Sequence, residues 1–425
     1  MPSAVAESSD ASDSGTRLSP QLAVPLVITL LLLMIWRAAA RDPGFSRAAN
    51  PVSAAAQQIV QSVSPATGTE AFDASAVEHS AADIVTLEHG WADESKCIDC
   101  HDQATDFHQT GHARTLHRAS DPFSKSRLLE LNQFAPAAEE GISIVSREEQ
   151  LLAISDRKEF TRQLQLGWCF GSGTHACTWA ATLPDSLGNS DLLEFRYSWF
   201  AQKDGFGITP GQPDHPGQSA VVSFGLLFDG PKAQRCFSCH ATVVPNHDGR
   251  IHEDGIRPGV TCQRCHGPRQ HHVATEGAHH PDGWKIADRM DSVLRCAVCH
   301  RLAEEKDPAE IYAGNPDIVR FQPIGLMRSP CFLKSDMSCT TCHDPHQTME
   351  QQDSLGIWQC VQCHDPEQVE HTICAAGHRD RCFECHMPQV QMEFPVAFTD
   401  HWIRVIDPEE GAARDGAAAT TGQVP

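Results

Sequence analysis

The chain has 425 residues and carries 33 Lys and Arg against 55 Asp and Glu, a formal charge of −22. So acidic a chain does not suit nucleic acid, and it should prefer a basic partner face, although plain solubility explains the charge equally well. With 18 Cys and 24 His but an aromatic share of only 7%, the sequence is rich in ligating groups and poor in the side chains that fill a large hydrocarbon core.

From the N-terminus, residues 1–21 are polar and rich in Ser and Ala. Leu22–Trp36 is a 15-residue apolar run followed by Ala38-x-Ala40 and by Arg37, Arg41 and Arg47. Residues 1–41 therefore read as a secretory signal peptide or a short membrane anchor, the second being preferred slightly. Residues 42–90, rich in Ala, Ser and Pro, read as a linker.

The pattern C-x-x-C-H first occurs as Cys97, Cys100, His101. Six more copies follow after a long gap. They are Cys236, Cys239, His240; Cys262, Cys265, His266; Cys296, Cys299, His300; Cys339, Cys342, His343; Cys360, Cys363, His364; and Cys382, Cys385, His386. Chance would supply ~0.04 copies at these Cys and His frequencies. The pattern is the attachment signal for c-type haem, with two thiols bonded to the porphyrin edge and the adjacent imidazole on the iron. Zinc is the competing reading of paired cysteines, but zinc does not require a His after every pair. Seven covalently bound haem c groups follow, at roughly 60 residues each, so porphyrin would supply much of the core. Thioether attachment is expected on the exported side of a membrane, which overrides the cytoplasmic placement that the arginines after Leu22–Trp36 would give.

Between the first and second motifs the texture changes. Leu164, Leu166, Trp168 and Phe170 alternate with Gln163, Gln165, Gly167 and Cys169, and Phe195, Tyr197 and Trp199 with Arg196 and Ser198. This period of two predicts strands, with Leu183–Asp191 as a turn, in a small antiparallel β insert at 141–211. The later motifs start 26, 34, 43, 21 and 22 residues apart, too irregular for a strict repeat. Each is expected to open or close a short helical turn, and Ala303–Ile311 reads as another helical piece. The fold class expected is thus a mainly α and irregular multihaem cytochrome with a haem-filled core over 91–404. A disordered tail is expected at 405–425.

Several stretches resemble one family. Gly259–His272 (GVTCQRCHGPRQHH), Arg320–His346, Cys382–Pro388 and Phe398–Arg404 are similar to segments of multihaem cytochromes related to hydroxylamine oxidoreductase, and to the tetrahaem electron acceptor of that enzyme. Gly171–Trp179 and Tyr197–Gly211 resemble the β-rich insert of the group. The resemblance spans roughly Cys97–Arg404 and implies a multihaem cytochrome. Two departures argue against enzymatic members of the group. The tyrosine cross-linked to the catalytic haem has no counterpart in Tyr197 or Tyr312, and the C-x-x-C-K motif of the related nitrite reductases is absent.

A six-coordinate haem needs a second axial ligand, and 17 His remain outside the motifs. His/His ligation with low potentials is expected, because few Met are placed to compete. The family-like segments point to His112, His175, His272, His346 and His401 as metal ligands. His247 is set against His252, and His378 against His371. His271, His279 and His280 read as exposed loop residues. Cys169, Cys177, Cys331 and Cys374 are left over; Cys169–Cys177 is the natural disulfide among three pairings, with buried free thiols the alternative.

Two functions stand. One is an electron-transfer protein in which the isolated first haem is one end of a wire. The other is an oxidoreductase acting on nitrite, hydroxylamine or sulfite at one haem with an open position. Arg264, Arg269 and Arg328 lie near haem segments and read as propionate-pairing or surface residues. The expected partners are redox proteins with a basic docking face.

Overall fold

A computed structural model describes residues 90–405 except 158–159, 185–189, 217–222, 248–249, 281–287, 304–305 and 366–380. Leu22–Trp36, the linker, the tail, His371, Cys374 and His378 lie outside the described residues. Among the described residues no helix is long and apolar enough to cross a membrane.

The first motif sits in tight turns after a 3-10 turn at Glu94–Lys96 and leads to strand β1 (Leu116–Arg118). Helix α1 (Pro122–Glu130) starts where Pro at N1 and the Asp121 carboxylate, which accepts from Phe123 N–H, satisfy the first turn. After α2 (Ala135–Glu139) the chain turns into a meander of β2 (Ile142–Arg147), β3 (Gln150–Arg157) and β4 (Phe160–Leu166). Strands β5 (Trp168–Phe170), β6 (Ala176–Pro184), β7 (Ser190–Phe200), β8 (Gly205–Ile208) and β9 (Gly225–Phe228) follow. A second sheet runs β1-β5-β6-β7-β8, and β9 pairs with the first half of β7 while β8 pairs with its second half.

Alternation along these strands divides two cores. Cys169, Cys177, Trp179, Phe195, Tyr197 and Trp199 face one side, with Leu128 and Leu131 beyond them. Trp168, Ala180 and Leu192 face the other, against Ala233 and Phe237 of α3 (Gly230–His240). The sheet also takes β1 and β9, which lie outside the 141–211 drawn from the alternation. Strands β6 and β7 are antiparallel, and their ends pair Leu183 with Asp191 and Pro184 with Ser190; residues 185–189 of the expected turn lie outside the described residues.

The remainder is short helices and loops. Strands β10 (Ala241–Val243), β11 (Asn246–His247), β12 (Arg250–Ile251) and β13 (Arg257–Pro258) form two small pairs. Helices α4 (Cys262–His266), α5 (Gln270–Ala274), α6 (Arg289–His300), α7 (Gln322–Leu326), α8 (Pro330–Lys334), α9 (Cys339–Cys342), α10 (Met349–Val361) and α11 (Cys382–His386) precede the hairpin β14 (Gln389–Gln391) and β15 (Ala397–Thr399). In the described part of Ala303–Ile311 the helical piece is a 3-10 turn at Pro308–Glu310, capped by Asp307. Pro308 lacks the N–H that would carry a helix through.

This half is short of hydrocarbon core. Among the described residues its own buried apolar clusters are Val293, Leu326 and Phe332, and Ile318, Phe321 and Ile324, while Ala241, Val244, Ile251 and Ile256 join the cluster around Trp168. Five of the seven motifs lie here and the second adjoins it at the end of α3, so the space between the helices is lined by their cysteines and histidines instead.

Candidate functional site

The six later motifs occupy or end helices α3, α4, α6, α9, α10 and α11. In a helical turn residues at i, i+3 and i+4 share a face, which puts both thiols and the histidine of C-x-x-C-H on one side. The turn closes explicitly where the His101, His343 and His364 N–H groups donate to the Cys97, Cys339 and Cys360 carbonyls at 3.0, 2.9 and 2.9 Å. Helices α3 and α6 are capped by Asp229 and Asp288, and α10 by a Thr348/Gln351 capping box.

These faces converge on one connected cavity of about 3710 Å³. That is several times the ~300–1,000 Å³ of an ordinary ligand pocket. All seven motif histidines line it, and so do His112, His175, His272, His346 and His401. His247 lies in β11, and its side chain is outside the description. His378 lies outside the described residues.

Within the cavity four motif histidines each face a second histidine. The ring centres of His101 and His272 are 6.4 Å apart, those of His266 and His346 6.2 Å, those of His300 and His112 6.1 Å, and those of His343 and His401 6.1 Å. A metal–imidazole bond of ~2 Å on each side, plus ~1.1 Å from nitrogen to ring centre, puts two trans imidazoles ~6 Å apart. Two imidazoles at a tetrahedral angle would stand only ~5 Å apart. The four ring-centre distances match two imidazoles that would share one iron, and exceed the spacing of a tetrahedral zinc site. Among the described residues one cluster of three metal-type donors occurs, Glu94, Cys97 and Cys262, and two of these belong to haem motifs.

The tautomers agree with this geometry. Nδ1 of His300 bonds Gln322 Oε1 at 2.9 Å, His343 bonds Gln352 Oε1 at 3.1 Å, and His386 the Arg404 carbonyl at 2.7 Å. Nδ1 of His240 bonds the Thr115 carbonyl at 3.0 Å. On the opposing side, His272 bonds the His279 carbonyl at 2.6 Å, His346 the Asp344 carboxylate at 2.9 Å and His401 the Thr399 carbonyl at 2.9 Å. Each acceptor holds the proton on Nδ1 and leaves the Nε2 lone pair free to bind a metal. Burial depresses His112 and His401 to about 4, with nearby histidines adding to the effect. Burial also lowers His240, His266 and His300. These imidazoles are neutral at physiological pH, as a metal ligand must be.

Long-range contacts set the pairs. Gly259, at φ +80°, approaches so closely that a Cβ there would meet the Ala113 carbonyl at 2.1 Å. Val260 N–H then donates to the His112 carbonyl at 2.9 Å, which fixes the His112 segment beside the third motif. Gly325 of α7 packs against Trp402 and His401 in the same way, a Cβ there falling 2.6 Å from Trp402 N. The first motif, far away in sequence, docks on the third through buried Gln263. Gln263 takes Ala92 N–H at 2.8 Å and donates to Ala92 O and Glu94 Oε1 at 2.9 and 2.8 Å.

Several expected surface residues are not on the surface. His271 and His279 stack at 4.2 Å and are half-buried, because α5 and the loop after it fold over one another; His280 is exposed. Arg264 is buried and donates to the Ser238 carbonyl at 2.8 Å, since its place inside the third motif turns it toward the second. Cys169 and Cys177 are buried free thiols that hydrogen-bond to one another across β5 and β6, and Cys331 is a free thiol as well. The acceptors Gln322, Gln352, Thr115 and Asp344 escaped the sequence reading, because no local pattern marks a residue that bonds a histidine from another element.

No protein-family model matches the chain, and no curated protein does. Among solved structures the chain is similar to the crystal structure of the outer cell wall cytochrome OcwA, at 13% identity and a TM-score of 0.48, over 78% of this chain and 84% of that one. At that level of likeness the functional reading rests on the motifs and the histidine pairs.

Proposed function

We propose that this chain is a heptahaem c-type cytochrome that passes single electrons between redox partners on the exported side of a membrane. The observation that carries the reading is the set of four histidine pairs with ring centres 6.1–6.4 Å apart, each joining a motif histidine to one from elsewhere in the chain. When bound, each haem supplies a one-electron iron couple. The chain's part is to hold it. The paired thiols would hold the porphyrin, and His101 with His272, His266 with His346, His300 with His112 and His343 with His401 would ligate the iron. Nδ1 acceptors keep five of these rings turned, those of His300, His343, His272, His346 and His401. Histidine on both faces favours low potentials relative to Met/His ligation. Electrons would enter from one reduced partner and leave to an oxidised one, with the −22 charge selecting basic docking faces.

The remaining motif histidines, His240, His364 and His386, would draw on His175, His247 and His378. Among the described residues no second histidine ring stands within 6.4 Å of His240 or His386, as one does in the four pairs. That observation favours, as a second reading, an oxidoreductase for a small nitrogen or sulfur compound with its open position at one of those two motifs. Electron paramagnetic resonance of the oxidised protein separates the two. Entirely low-spin iron that binds no added nitrite or cyanide supports the carrier, and a high-spin signal altered by such ligands supports the enzyme. Protein that contains zinc and no porphyrin would overturn both.

A further inference from the structure

Resting on the haem reading above, we infer that His271 and His279 are positioning residues for the first-motif iron. Stacked on one another, they hold the carbonyl that orients the ring of His272. The sequence carries two His-His doublets, His271-His272 and His279-His280. The first doublet supplies His272, the partner of His101.

The fold brings the doublets together as two rungs. Helix α5 ends by turning back through residues 275–278, where Glu276 and Gly277 are both left-handed, at φ +50° and +86°. Gly277 N–H donates to the His272 carbonyl at 2.9 Å and closes the turn. Across it the rings of His271 and His279 stack at 4.2 Å, 26° from parallel, and those of His272 and His280 stand 5.8 Å apart. The next closest ring pair among the described residues, His175 with Phe398, is at 5.0 Å.

The link to the site is main chain. The His279 carbonyl accepts from His272 Nδ1 at 2.6 Å, and its place is set from two sides. The Thr275 hydroxyl donates to the His271 carbonyl at 2.9 Å and accepts from His279 N–H at 3.1 Å. The stacked rings fix the same two residues through their side chains. Among the described residues His271 Nδ1 is buried with no hydrogen-bond partner. Burying a nitrogen in this way costs stability, so the ring contributes here through its flat face against His279. Helix α5 is itself tied to the first motif. Gln270 N–H donates to the Gly90 carbonyl at 3.0 Å, and Arg269 N–H to Gln263 Oε1 at 3.0 Å. His272 is thus held beside His101 through α5 and held in rotation through His279. A carbonyl that accepts from Nδ1 makes Nε2 a stronger donor, which favours oxidised iron. The brace keeps the first-motif potential down.

Electron paramagnetic resonance and redox titration of the haem-loaded full chain test this. His272→Ala marks the first-motif iron as the low-spin signal that is lost. In His271→Ala that same signal should shift and its midpoint potential should rise, with haem content and the other irons unchanged. Thr275→Val, which removes the bridging hydroxyl from a side chain of similar shape, should move the same signal in the same direction. His271→Phe keeps a flat ring against His279 and should restore the parent signal and potential. An unmoved signal in both His271→Ala and Thr275→Val, a lowered potential, or an equal disturbance of all the irons overturns the inference. If His272→Ala loses no signal, the pairing of His101 with His272 on which the inference rests is overturned instead.

Discussion

The rings of His112 and His300 stand 6.1 Å apart and nearly perpendicular, at 81°. The other three pairs are within 34° of parallel. His112 follows the first motif and His300 closes the fourth, so this pair ties the start of the folded region to its centre. Both rings are buried and neutral, and Gln322 holds the Nδ1 proton of His300.

Removing one opposing histidine should open one iron. His272→Ala leaves His101 without its partner at 6.4 Å. One of the seven low-spin irons should become high-spin and bind cyanide, with haem content unchanged. His280→Ala should leave the spectrum as it was, because His280 is exposed and lies beside His272 without facing a motif histidine. Low-spin iron throughout in the His272 variant would show that the ligand comes from elsewhere.

Asp344 tunes the pair formed by His266 and His346. Its carboxylate accepts from His346 Nδ1 at 2.9 Å and makes the ring a stronger donor, which favours oxidised iron. Asp344→Asn should raise the potential at the third motif, by about 59 mV for each tenfold change in the relative binding of the two oxidation states. Redox titration reads the shift, and a fall in potential would contradict the assignment.

Glu194 makes stability depend on pH. Burial in β7 raises its carboxyl to about 7, against a hydrogen bond from Gln212 that works the other way. A folded pKa above the unfolded one means that the stability contributed is complete below about 4.5 and is lost as pH rises toward 7. Glu194→Gln removes this slope. At pH 8 the variant should be more stable than the parent, by on the order of 3 kcal/mol at most, with little advantage at pH 4. Chemical denaturation at the two pH values reads the difference.

The sheet that carries the His175 loop depends on a buried ion pair. Arg196 is 1% exposed and bonds Glu140 through Nε at 2.7 Å and Nη2 at 2.9 Å, while the Tyr197 hydroxyl donates to the same carboxylate at 2.5 Å. Arg196→Met leaves that half-buried carboxylate without its cation and should cost ~1–3 kcal/mol. Arg196→Lys should recover only part of this, because lysine cannot reproduce the two-pronged contact. Thermal unfolding of both variants tests the order.

The motifs were legible at once, because C-x-x-C-H is a local pattern and its residues need only one helical turn to share a face. His112, His175, His272, His346 and His401 were legible as candidates, and all five line the cavity. Which one faces which motif was not legible. His112 meets His300 and His401 meets His343 only after Gly259 and Gly325 bring distant segments into contact. The strands were readable from alternation, but β1 and β9 are three and four residues long and carry too little pattern to reveal that they extend the same sheet. The helical piece expected at Ala303–Ile311 is, in its described part, a 3-10 turn at Pro308–Glu310. The burial of Arg264 could not be read from composition, since it depends on the second motif packing against the third.

The central claim, seven haem groups held by seven C-x-x-C-H motifs, is tested most directly by mass spectrometry of proteolytic peptides from the denatured protein. The account predicts that each of the seven peptides spanning Cys97–His101, Cys236–His240, Cys262–His266, Cys296–His300, Cys339–His343, Cys360–His364 and Cys382–His386 carries one covalent haem. Motif peptides with bare thiols or disulfides, in protein exported by a host competent for haem attachment, would contradict it.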